Sequence, residues 1–292
     1  MRVVIDDNSG FCFGVVRAIG EAESALQRTG EVCCLGDIVH NRVEVQRLEN
    51  MGMATVTHAD MPSLGGRTLL IRAHGEPPAT YRLAESLGIE VIDATCPVVA
   101  RLQRRVREAY DKMREVGGSV VLLGKHGHAE VIGLTGQVED DVMVAESIAD
   151  LEGLDYTRPI YLLSQTTQSI ELFNAMAEHI RSHVKEGVSV TVDDTICRRV
   201  AGRETLLATF SASVDVVLFV CGRKSSNGRV LSEVCRKANS RCYNIEEAAE
   251  IDMAWFEGAA SVGICGATST PRWLMEDVAA AVRSMAGELD NE

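Results

Sequence analysis

A small grammar repeated at the ends of strands constrains this chain more than any other feature. In V-I-D-A-T-C-P (91–97) an apolar, β-branched pair runs into an aspartate, a threonine and a lone cysteine, Cys96. In V-T-V-D-D-T-I-C (190–197) a second β-branched run meets the same residue types and ends at Cys197. A third lone cysteine, Cys12, stands in G-F-C-F-G, after the strand-like run R-V-V-I-D (2–6). Each falls where a predicted strand gives way to a loop.

Elsewhere, short β-branched runs alternate with segments of helical periodicity. Strands are predicted at 32–35, 53–56, 68–72, 90–92, 119–124, 142–144, 160–163, 188–192, 216–220 and 261–264. Helices are predicted over 14–28, 42–51, onward from Pro77-Pro78, over 98–116 with Gly117-Gly118 as its stop, over 169–184, and from about 271 to the end. Such alternation predicts an α/β fold with mostly parallel strands. The plan recurs three times, which predicts three small α/β domains: 14–97 with Cys96, 98–195 with Cys197 at its end, and 196–292 completed by residues 1–13 with Cys12. Ligands of open parallel sheets bind at the carboxyl ends of the strands. Each polar loop that carries a candidate residue below is predicted to sit at such an end, and three sheets facing one axis would bring those loops together.

The totals exclude several classes. At 292 residues, with 46% hydrophobic and 24% charged residues, the chain is an ordinary globular one. No stretch approaches the ~18 apolar residues of a membrane span. M-R-V-V-I-D-D lacks the apolar core of a secretory signal, so a cytoplasmic location is expected. A net charge of −13 argues against nucleic acid, whose phosphates are met by basic surfaces. Nine cysteines without an export signal argue for reduced thiols rather than disulfides.

Three cysteines from separate loops suit a metal centre, with buried core thiols as the competing reading. Zinc usually takes closely spaced pairs, and no C-x2-C occurs here. Iron–sulfur clusters are held by thiolates, four for a cubane, and three leave one iron without a protein ligand. His40, His74 and His128 follow strands in matching loops flanked by glycine or asparagine. Ser225, Ser226 and Asn227, and also Ser269, stand before predicted helices near 228 and 271. Hydroxyls and helix N-terminal amides suit a phosphate; taken alone, simple N-capping is the better explanation, and together with the three histidines a phosphate or diphosphate pocket becomes the better one. Glu130, two residues beyond His128, is a candidate proton donor with Thr166 or Thr167 beside it, or else a surface glutamate at a helix start. Cys33, Cys34, Cys221, Cys235, Cys242 and Cys265 are assigned to packing, with Cys221 and Cys265, at strand ends, the weakest of these assignments.

Taken in order, G-F-C-F-G-V (10–15), V-H-N-R (39–42), A-H-G (73–75), D-A-T-C-P (93–97), G-H-A-E-V (127–131), Q-T-T (165–167), D-T-I-C (194–197), S-S-N (225–227) and G-A-T-S-T-P (266–271) span nearly the whole chain. In these pieces it resembles the 4-hydroxy-3-methylbut-2-enyl diphosphate reductase family of the methylerythritol phosphate route to isoprenoids. The resemblance implies a pseudo-threefold trefoil around a central [4Fe–4S] cluster held by Cys12, Cys96 and Cys197. It implies that the unique iron takes the substrate hydroxyl, and that His40, His74, His128, Ser225, Ser226, Asn227 and Ser269 hold the diphosphate. Glu130 and Thr166 are the implied catalytic pair, with Thr166 also touching substrate. Two electrons, passed singly by a ferredoxin or flavodoxin, and two protons then yield isopentenyl and dimethylallyl diphosphates.

No G-x-G-x-x-G follows the first strand, so no nicotinamide site is expected. The chain departs from the family pattern at Phe13, Ala129, Lys224 and residues 198–202, which leaves room for an altered rate or substrate range. Two other activities share the same cysteines: an iron–sulfur sensor indifferent to Glu130, and a non-redox Lewis-acid dehydratase of a related allylic diphosphate needing no electron donor.

Overall fold

The computed structural model describes residues 1–198 and 202–289, the side chains as far as Met285. Arg199, Val200 and Ala201, within the 198–202 departure, lie outside the described residues. The strands, in chain order, are β1 (Arg2–Ile5), β2 (Val32–Leu35), β3 (Met53–Val56), β4 (Thr68–Ile71), β5 (Glu90–Asp93), β6 (Ser119–Leu123), β7 (Met143–Ala145), β8 (Ile160–Ser164), β9 (Val190–Val192), β10 (Val216–Val220), β11 (Cys242–Ile245) and β12 (Ser261–Gly266). The helices used below are α1 (Phe13–Thr29), α2 (Arg42–Asn50), α3 (Pro78–Ser86), α4 (Pro97–Val116), α5 (Ala129–Thr135), α6 (Ile170–His183), α7 (Arg203–Ala212), α8 (Ser226–Ala238) and α9 (Arg272–Leu289).

The strands form three parallel sheets of four, ordered β3-β2-β4-β5, β7-β6-β8-β9 and β11-β10-β12-β1. One topology is therefore repeated three times. A first strand lies between the second and the third, and a fourth flanks the third. In the last sheet the fourth strand is β1, which pairs with β12 from Arg2↔Ser261 to Ile5↔Ile264.

Between the adjacent first and third strands of each sheet the winding reverses, and the connections leave their carboxyl ends in opposite directions. That is the switch point at which open parallel sheets form a ligand crevice. Every candidate histidine, serine and asparagine follows a first or third strand, and every candidate cysteine follows a fourth.

By contact the residues group into two compact units. One comprises Met1–Ile19, Asp37–Gly52 and Arg198–Glu292, and the other Gly20–Gly36 and Met53–Cys197. In the second unit, α4 presents the stripe Leu102, Val106, Ala109 and Met113 to Val120 and Leu122 of β6, with Val131 and Leu134 of α5 completing the cluster. In the first unit all five residues of β10 are buried, because helices cover both faces of a parallel sheet. Pro97 opens α4, and Gly117 closes it at φ 66°, a left-handed turn that glycine adopts without a Cβ clash.

Candidate functional site

The strand-end grammar is a turn. Asp93 accepts the amide of Thr95 at 2.9 Å and Asp194 accepts that of Ile196 at 3.1 Å, so each carboxylate bends the chain out of its strand through a side-chain turn. Asp6 does the same for Asn8 at 3.3 Å and also accepts the Ser9 hydroxyl at 2.7 Å. Asp6 is thus the third copy of the aspartate, which the sequence reading passed over although it directly follows the strand.

The turns deliver three cysteines to equivalent places. The Cys96 amide donates to the carbonyl of Ala73 at 3.0 Å, that of Cys197 to Thr166 at 2.9 Å and that of Cys12 to Thr268 at 3.1 Å. Ala73, Thr166 and Thr268 each stand two residues past the end of a third strand, β4, β8 and β12. Cys96 is the N-cap of α4, and the Cys12 carbonyl accepts the Val16 amide at 3.0 Å at the start of α1.

Exposure separates these three cysteines from the rest, as an accessible thiolate ligand requires. Cys12, Cys96 and Cys197 are half-exposed, whereas the other six cysteines are buried. Burial pushes the Cys221 thiol up to about 11 and raises that of Cys265, keeping both protonated among core side chains. Cys221, Cys235, Cys242 and Cys265 pack with Phe219 and Leu231 beneath α7 and α8. No described cysteine is in a disulfide.

Around the switch point of β7-β6-β8-β9, His128 caps α5 by accepting the Glu130 amide at its Nδ1, 3.2 Å away. An amide can only donate, so Nδ1 is the acceptor and the proton of the neutral ring sits on Nε2. The His74 and His128 rings meet edge to face, with centroids 5.4 Å apart.

Glu130 is not a surface residue, being 2% exposed. Its Oε1 accepts the Thr166 amide at 2.7 Å and its Oε2 the Thr166 hydroxyl at 2.8 Å. Burial raises its proton affinity, and the two bonds from Thr166 only partly oppose this. Thr166 therefore holds the carboxyl group in place. The hydroxyl of the next residue, Thr167, accepts from Gln165 Nε2 at 2.9 Å, and by repeat position Thr167 corresponds to His74 and Ser269.

The sheet completed by β1 repeats the arrangement. Ser225 caps α8 by accepting the Gly228 amide at 2.9 Å, so capping is real at this position, and the Ser269 hydroxyl donates to it at 3.1 Å. Asn227, 4% exposed, accepts both the Thr268 amide at 3.0 Å and the Thr268 hydroxyl at 2.6 Å on its Oδ1. His40 lies beside this loop. A Cβ on Gly222 would meet the His40 carbonyl oxygen at 2.2 Å, so only glycine permits the approach. His40, Asn41, Gly222 and Lys224 line a cavity of about 300 Å³. Lys224 stands exposed and pairs with Asp37 at 3.7 Å, an exposed pair worth little. Phe13 opens α1 half-exposed, and Ala129 opens α5.

Comparison with known proteins points to one family. The family model described as "LytB protein" matches residues 3–283. A protein of Parabacteroides distasonis named 4-hydroxy-3-methylbut-2-enyl diphosphate reductase is 52% identical over 285 residues, covering 98% of each chain. Its namesake in Phocaeicola vulgatus is 47% identical over 283 residues, covering 97% of this chain and 98% of its own. A solved (E)-4-hydroxy-3-methyl-but-2-enyl diphosphate reductase, described as the terminal enzyme of the non-mevalonate pathway, aligns with TM-score 0.72 at 34% identity over 97% of this chain and 100% of its own. The E-1-hydroxy-2-methyl-but-2-enyl-4-diphosphate reductase of Plasmodium falciparum, at 23% identity and TM-score 0.83 over 94% of this chain and 86% of its own, shares the fold. With its family model matched almost from end to end and relatives about half identical over the same span, the chain belongs to the LytB protein family.

Proposed function

We propose that the chain reduces 4-hydroxy-3-methylbut-2-enyl diphosphate to isopentenyl and dimethylallyl diphosphates. Two electrons and two protons enter, the allylic C–O bond breaks, and the hydroxyl leaves as water. One observation carries the reading. Glu130 is a buried carboxyl group with raised proton affinity, clamped by the same threonine whose carbonyl tethers Cys197. A carboxylic acid whose proton affinity is raised by burial is suited to protonating a departing hydroxyl.

Cys12, Cys96 and Cys197 are the residues that would hold a [4Fe–4S] cluster. When bound, the cluster supplies electrons singly and an iron without a protein thiolate. The chain's own residues do the rest. His40, His74, His128, Ser225, Ser226, Asn227 and Ser269 offer donors to the diphosphate, Glu130 supplies a proton, and Thr166 fixes the direction in which it is given. By its repeat position Thr167 joins the loop residues facing substrate. The division into domains 14–97, 98–195 and 196–292 with 1–13 is supported by one four-stranded sheet in each. A ferredoxin or flavodoxin is the proposed electron donor and the cytoplasm the proposed location. Among the described residues no helix is long and apolar enough to cross a membrane.

The test is an anaerobic preparation with iron and sulfide counts, assayed with dithionite and a mediator. About three to four irons per chain and consumption of the diphosphate only when reductant is present are expected. Fully loaded protein without turnover would refute the activity, and turnover without reductant would make the protein a dehydratase.

A further inference from the structure

The repeat shows what a second threonine does. Counted from the ends of their strands, Glu130 and Asn227 occupy one position, seven residues past β6 and β10, and Thr166 and Thr268 another, two residues past β8 and β12. In both copies the threonine amide and hydroxyl converge on one side chain, and in both the threonine carbonyl accepts a cysteine amide. The remaining copy is an internal control. Alanine, Ala73, replaces the threonine there, and the residue seven past β2 is Arg42, which is turned to an ion pair with Glu247 at 2.9 Å. The hydroxyl is present where a polar side chain has to be aimed, and missing where none is.

At Asn227 the clamp decides the orientation of the amide. The Thr268 N–H can only donate, so the atom it faces is the carboxamide oxygen, and the NH₂ group is turned the other way. That nitrogen is buried and has no hydrogen-bond partner among the described residues. A buried donor left unpaired is costly, and an anion accepting from it removes that cost.

Resting on the proposed diphosphate reading, we infer that Thr268 is a positioning residue, whose hydroxyl locks the Asn227 carboxamide with its NH₂ presented to the anionic end of the substrate. Without the hydroxyl the amide keeps one of its two anchors, and its two orientations become closer in energy. The same residue holds the Cys12 loop through its carbonyl, so the anion donor and the candidate ligand are set by one residue.

The experiment measures binding of inorganic diphosphate to the cluster-loaded protein by calorimetry, in wild type, Thr268→Val, Thr268→Ser, Asn227→Ala and the Asn227→Ala/Thr268→Val double variant. Thr268→Val is expected to weaken binding about 5- to 10-fold, the worth of one net hydrogen bond, with iron content unchanged. Thr268→Ser should bind as wild type does, and Thr268→Val should cost nothing further once Asn227 is alanine. Thr268→Val binding as tightly as wild type, or losing as much in the Asn227→Ala background, overturns the assignment alone. Should Thr268→Val not fold, Thr268→Ser decides: binding weakened as much as by Asn227→Ala shows that a hydroxyl is insufficient and overturns it, and wild-type binding upholds it. Wild-type protein that binds no diphosphate overturns the anion-site reading and this assignment with it.

Discussion

At Glu130 and at Asn227 the chain builds the same clamp twice, in two sheets of identical topology, and fills it with different chemistry. Each side chain is almost completely buried, each accepts an amide and a hydroxyl from one threonine, and each of those threonines tethers a half-exposed cysteine. The carboxyl group of Glu130 can carry a proton and give it up. The carboxamide of Asn227 cannot be exhausted as a donor and adds no charge. Geometry is thus supplied by the repeat and chemistry by a single difference within it: a carboxyl group beside one cysteine, a carboxamide beside another.

Exchanging the chemistry at the amide clamp should have the largest effect. Asn227→Asp keeps the shape but sets a carboxylate against the diphosphate, and juxtaposed like charges cost several kcal/mol. A rise in KM of about 100-fold with iron content retained is expected in the anaerobic assay. An unchanged KM would break the division of labour.

Thr166→Val removes one of the two bonds to Glu130 and should lower kcat about 10-fold. It should also move the pH profile. The Thr166 bonds partly oppose the raised proton affinity of Glu130, so losing one raises that affinity further. Glu130 acts while protonated, and the fall in kcat with rising pH should shift to higher pH. A shift toward lower pH would contradict the role of Glu130 as the acid.

The smallest effect concerns stability. A carboxyl group whose folded-state proton affinity exceeds that of the unfolded chain stabilises the fold below the ordinary carboxylate range. That contribution is lost as pH rises through the raised folded value. Glu130→Gln carries no such loss. Its Tm should exceed that of wild type at pH 8, and the gain should vanish as pH falls into the ordinary carboxylate range. An equal difference at both pH values would mean that Glu130 is not held protonated by burial.

Much of this was legible in the sequence, because a parallel sheet buried on both faces reads as a near-continuous apolar run. S-V-V-L-L and V-V-L-F-V announce β6 and β10, and a cysteine after an aspartate turn announces a strand end. The strand β11, C-Y-N-I, went unpredicted because it is short, carries a polar Asn244, and is stabilised by pairing with β10 rather than by its own pattern. α7 went unpredicted too, since its apolar residues do not gather on one stripe and exposed Leu206 adjoins buried Leu207. At the site, the residue types were visible but their burial was not. A glutamate at a helix start is usually solvated, and the depth of Glu130 depends on a loop 36 residues away. For the same reason Thr166 and Thr167 could not be told apart. Only the folded chain points one hydroxyl at Glu130 and leaves the other next to Gln165.

The most direct test compares kcat for cluster-loaded wild type and Glu130→Gln on the allylic diphosphate, with dithionite and a mediator and with iron counted in both. Equal iron and a kcat lower by about 100-fold or more, in the range for loss of a general acid, are predicted. Undiminished turnover in Glu130→Gln at equal iron would contradict the account.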